Sequence, residues 1–109
     1  MKPEFLDLPL VDNRAANRFE LTVNHYLAFM EYELEDGAIR VLHTEVPAQL
    51  EGQGVGTAIV EKALTEIEGR QLKLVPLCPF VTSYLKRHPE WQRLVAAGYQ
   101  RWFQQTEKQ

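Results

Sequence analysis

The sequence predicts an α+β fold: an antiparallel three-stranded meander followed by a helix, a parallel strand and C-terminal helices. Three observations predict it. Residues 18–46 alternate apolar and polar with period two, broken at Asn24-His25 and Asp36-Gly37. Residues 55–67 switch to a helical period. A short apolar run, Gln71–Val75, follows that helix, and strand–helix–strand in one sheet requires a right-handed crossover, hence a parallel pair.

Residues 1–16 hold Pro3, Pro9 and Asn13 and read as a loosely ordered lead-in to one domain spanning 17–103. In the first strand Phe19, Leu21 and Val23 share a face. Asn24-His25 is a two-residue turn. The second strand, Tyr26–Glu35, puts Tyr26, Ala28, Met30, Tyr32 and Leu34 on one side. Asp36-Gly37 is a strong hairpin turn, and Ala38–Val46 is the third strand, stopped by Pro47. After a loop, Val55, Ile59, Ala63 and Ile67, with Val60 and Leu64 beside them, form the buried stripe of a helix. Gly69 reads as its C-terminal stop. Pro76 closes the strand Gln71–Val75. A second helix runs from Phe80 to Arg87, and a short third one around Trp91–Val95 ends at Gly98. Residues 104–109 read as a frayed tail.

A chain of 109 residues fits one small domain, and 45% apolar with 25% charged residues is ordinary for a globular one. The net charge of −3 provides no global basic field for nucleic acid or anionic lipid. The one basic cluster is Lys86, Arg87, His88 and Arg93. Cys78 is the only cysteine, so no internal disulfide forms and a reducing compartment is expected. The N-terminus lacks the apolar core of a signal peptide, and no apolar run approaches the ~20 residues of a membrane span. The expectation is a cytoplasmic protein, a monomer or weak homodimer.

The stretch "LEGQGVGT", residues 50–57, places three glycines at alternate positions before the first helix. Glycine costs backbone entropy there, so something should approach the main chain closely. A helix N-terminus exposes unpaired N–H groups and about half a positive charge, which suits an anion. The P-loop pattern fails because Thr57-Ala58 follows the last glycine, where Lys-Ser or Lys-Thr is required. The G-x-G-x-x-G pattern fails because the sixth position is Thr57 or Ile59.

What remains, x-x-G-x-G after an antiparallel strand ending in Val-Pro, resembles the pyrophosphate loop of the GNAT superfamily of acyl-CoA N-acyltransferases. Three ordered segments carry the likeness, "HTEVP", "EGQGVG" and "CPFVTSYLKRHPEW". It covers Arg18 to about Trp91 and looks closest to short single-domain members. The resemblance implies acetyl-CoA as co-substrate, no metal, and an amine acceptor. It places pantetheine contacts on Glu45 and Val46. It places the pyrophosphate on Gly52, Gln53, Gly54, Val55, Gly56 and Thr57. It also sets Tyr84 beside the CoA thiol, as proton donor to the departing thiolate. Many members carry Arg or Gln where this chain has Glu51, whose carboxylate should turn to solvent and leave binding to the backbone. The paired helices that often precede the second strand are missing.

Two further groups carry candidate chemistry. Cys78, after a strand end, reads either as a nucleophile for the acyl group or as a small buried hydrophobe. His43 lies two residues from Glu45, on one face of the third strand. The pair reads either as a general base with its orienting carboxylate or as a hydrogen-bonded strand histidine. His25 and His88 have weaker claims, and no metal-ligand spacing is present. Tyr84 also lies on the apolar stripe of its helix, which a phenol can share with a site. The Lys86-Arg87 pair reads as a solvated face, with the 3′-phosphate of CoA as its other reading. The leading expectation is an acetyl-CoA-dependent N-acetyltransferase acting on an unidentified amine. The alternative is a non-catalytic CoA-binding module serving as sensor or interaction partner. A nucleic-acid binder is disfavoured by the acidic balance.

Overall fold

The computed structural model describes residues 1–104. The tail expected at 104–109 lies outside them, apart from Gln104. Five strands form one sheet in chain order: β1 (Val11–Asn13), β2 (Arg18–Val23), β3 (Tyr26–Glu35), β4 (Ala38–Glu45) and β5 (Lys73–Pro76). The first four are antiparallel, and β5 joins β4 in parallel through helix α1 (Val55–Gly69). Helix α2 (Pro79–Arg87) follows β5, and a four-residue helix α3 (Arg101–Gln104) closes the described chain. Both hairpin turns form as expected. Asn24 and His25 both take positive φ (51° and 70°), as the right-handed twist of the strands requires, and Gly37 does so at 68°.

Phe19, Leu21, Val23, Ala28, Met30, Tyr32, Ile39 and Val41 point to one face of the sheet. The expected stripe of α1 covers that face, and all six of its predicted positions are buried. Tyr26 and Leu34, at the ends of β3, stay exposed.

Several local expectations change. The lead-in is ordered: a 3₁₀ turn at Pro3–Phe5 sinks Phe5 into the core at 2% exposure, and β1 pairs with β2. α1 ends at Gly69 as expected, but Gly69 is not the residue that turns the chain. Gln71, at φ 60°, is the left-handed residue, and the Gln71 and Leu72 amides return to Glu68 and Ile67 carbonyls in a Schellman arrangement. The third helix is a 3₁₀ segment, Pro89–Leu94, and Gly98 lies inside a further 3₁₀ turn, Ala97–Tyr99. Between these two turns Ala96 donates to the Leu74 carbonyl at 2.8 Å, so this stretch covers the outer edge of β5.

Asp12 locks β1 to the rest. Its carboxylate accepts from the Tyr32 hydroxyl and from Arg70 Nη2 at 2.8 Å, Arg70 lying just past α1. Burial pushes the Asp12 carboxyl up, but the bonds from Tyr32 and Arg70 outweigh it and hold it below the usual carboxylate range. Burial and the Asp12 carboxylate push the Tyr32 phenol up to about 12, so it remains a donor. Asp12→Ala should therefore destabilise the fold by about 2–3 kcal/mol in urea titration, since both donors lose their acceptor. The Asp12 contribution is complete above its unfolded pKa of about 4 and declines as pH falls through its lower folded value. The stability difference between wild type and variant should shrink as acid is added.

Candidate active site

Two backbone features build the site. The first is the glycine loop. Gly52 and Gly54 take φ of 80° and 86°, which L side chains rarely adopt, and Gly54 is the N-cap of α1. No side chain caps the helix. Its first internal bond runs from Ala58 N–H to Gly54 O at 3.1 Å. The amides of Val55, Gly56 and Thr57 precede it at the positive end of the helix dipole. They border a cleft of about 260 Å³ lined also by Val46, Leu50, Glu51 and Phe80. Glu51 is solvent-exposed at its rim.

The three glycines serve different purposes. A Cβ on Gly52 would meet nothing within 4 Å, so backbone conformation selects glycine there. Gly56 is the position where a close approach occurs, from the tip of the exposed Phe80 side chain. A Cβ there would lie 2.7 Å from the Phe80 ring, so the approaching group is a side chain of this protein. The Gln53 side chain turns away from the cleft, bonding the Gln49 carbonyl at 3.1 Å and lining a groove with Glu4 and Phe5.

The second feature is the parting of β4 from β5. Their ladder ends where Leu77 N–H meets Val41 O at 3.0 Å. Just beyond, Leu42 is an extra residue opposite Glu31 and Tyr32, a bulge in β4. The bulge reverses the alternation. Ile39 and Val41 face the helices, yet Thr44 does so next, while His43 and Glu45 face outward. Thr44 Oγ1 accepts from the Cys78 thiol at 3.5 Å. Cys78 is the N-cap of α2 and is 2% exposed. Thr44 is a candidate site residue that sequence reasoning missed, because period two assigns it to the outer face.

His43 Nε2 lies 3.2 Å from Glu45 Oε1, with side chains 54% and 60% exposed. Phe29 stands edge-on to the imidazole, centroids 6.3 Å apart. The structure thus joins His43 to Glu45, and Cys78 to Thr44, on opposite faces of one strand. It does not bring His43 to Cys78.

The Tyr84 side chain, expected beside the CoA thiol, is engaged by groups of the protein itself. It is buried between the helices, its hydroxyl donates to Glu61 Oε2 at 2.5 Å, and its ring stacks on His88 at 4.2 Å. Burial first, then the Glu61 carboxylate, pushes the phenol well above its ordinary pKa. In the basic cluster, Arg87 bonds Ser83 at 2.9 Å and Arg93 pairs with Glu68 at 2.5 Å.

Among the described residues no three of His, Cys, Asp and Glu gather as a metal site, and no helix is long and apolar enough to cross a membrane. No curated protein matches the chain. A family model described as GCN5-related N-acetyl-transferase matches residues 18–94, from the start of β2 through the 3₁₀ segment after α2. That span contains both the uncapped glycine loop and the parted strands, and the family's chemistry is acyl transfer, in general from acetyl-CoA to an amine. The chain belongs to the GCN5-related N-acetyltransferase family.

Proposed function

We propose that this protein transfers an acetyl group from acetyl-CoA to an amine, on a small molecule or a protein, in the cytoplasm. The observation that carries this reading is the alignment of two open backbone features. The uncapped N-terminus of α1 offers amides to a pyrophosphate, and Val46 leads from that cleft to the stretch of β4 that has parted from β5. Glu45 and Val46 would hold the pantetheine arm there through their backbone.

The chemistry follows from the two faces of β4. The amine nitrogen bonds to the thioester carbonyl carbon, the C–S bond breaks, and CoA leaves as the thiolate. With His43 Nε2 held by Glu45, Nδ1 is the nitrogen left to take the amine's proton. Cys78 and Thr44 line the opposite side. The Cys78 thiol is enclosed and donates to Thr44, so direct transfer is favoured over a relay through the cysteine. Incubation with acetyl-CoA and no acceptor should leave no acetyl adduct on the protein by mass spectrometry. A Cys78 thioester that an added amine discharges would instead establish the relay.

A non-catalytic CoA-binding module is the second reading, favoured by the commitment of Tyr84 to Glu61. Release of CoA thiol across a panel of amines and peptide N-termini separates the two. Tight CoA binding with no turnover on any acceptor would select the module.

A further inference from the structure

The glycine loop has no cation of its own. From Ala48 to Thr57 the only charged side chain is Glu51, an acid placed on the rim of a cleft meant for phosphate. Backbone amides carry partial charges, and pyrophosphate carries two full ones.

A cation comes from the other end of the chain. Lys2 lies against the N-cap of α1: its Cε and Cδ are 3.5 and 3.8 Å from the point a Cβ on Gly54 would occupy. The segment that carries it is held at several points. Phe5 is in the core and also touches that point, at 3.9 Å. Lys62 Nζ bonds the Leu6 carbonyl at 3.3 Å, and the Met1 ammonium meets Glu61, further along α1, at 3.1 Å. The Lys2 side chain is exposed, and no carboxylate or carbonyl pairs with its ammonium among the described residues. Its stem therefore rests on the N-cap glycine of α1, and the flexible end of the side chain is within reach of the first-turn amides.

We propose that Lys2 is part of the phosphate site and that its ammonium pairs with the pyrophosphate of CoA. The N-terminal segment is then a working part of the binding loop. The inference rests on the acetyl-CoA reading above. Lysine serves phosphate as a point charge on a flexible stem, so the pair needs no fixed fork geometry.

The test compares full-length wild type, Lys2→Gln, Lys2→Glu and Lys2→Arg, tagged at the C-terminus, by calorimetric titration with CoA, dephospho-CoA and pantetheine. Lys2→Gln should weaken CoA about 2- to 5-fold, the range of an exposed ion pair, and Lys2→Glu should weaken it further. Lys2→Arg should restore it. The same loss should appear with dephospho-CoA, which keeps the pyrophosphate and lacks the 3′-phosphate. It should be absent with pantetheine, which has neither. The loss with CoA should fade as salt is raised. Equal CoA affinity in wild type and Lys2→Glu, with normal melting temperatures, would overturn the role of Lys2 and leave the acetyl-CoA reading standing. A loss confined to CoA would put Lys2 on the 3′-phosphate and overturn the placement; an equal loss with pantetheine would make Lys2 merely structural. Wild type that binds none of the three would overturn both readings.

Discussion

His43→Ala should reduce kcat/KM for acetyl transfer by about 10²–10⁴-fold, the usual cost of losing a general base. The fold should not suffer, because the imidazole is more than half exposed. CoA affinity should also be unchanged, since the phosphate loop is on another segment. Glu45→Gln should give a smaller loss with the same pattern, as it keeps the side-chain shape and removes the charge that orients the ring. Turnover by His43→Ala within a fewfold of wild type would assign the amine's proton to solvent or to the substrate's own equilibrium.

Gly54→Val should weaken CoA by at least about 10-fold, or roughly 1.4 kcal/mol, in calorimetric titration. The structure locates the cause in the backbone. A Cβ at Gly54 would have ordinary contact with Lys2, so steric overlap inside the protein is small. The φ of 86° is the difficulty, because a β-branched residue there is strained by about 1–3 kcal/mol. Relief of that strain turns the amides of the first turn away from the cleft. Gly54→Asn, which tolerates the left-handed region, should keep more of the affinity. A folded Gly54→Val variant with unchanged CoA affinity would remove the basis for the acetyl-CoA reading.

Features whose causes lie within a few residues were legible before any coordinates. The Asn24-His25 and Asp36-Gly37 turns, the α1 stripe and the order of elements follow from chirality, side-chain alternation and helical period, which act locally. The unusual backbone of the glycine loop was legible for the same reason, Gly52 and Gly54 both taking positive φ. The His43–Glu45 contact was legible as well, since residues two apart on a strand share a face. The strand β1 was not, because three residues are too few to show a period and its anchor, Asp12, finds Tyr32 and Arg70 only when the sheet meets α1.

What the amino-acid order determined by itself was the α+β plan and the family likeness, each written in runs of neighbouring residues. The tertiary structure decided the rest. It inserted Leu42 as a bulge, which turned Thr44 toward Cys78 and His43 toward solvent. It gave the Tyr84 hydroxyl to Glu61 and laid Lys2 on Gly54. Each of these pairs residues 23 or more positions apart, or depends on how two strands shift against each other. Such choices are made by packing the whole core at once, and no local period records them.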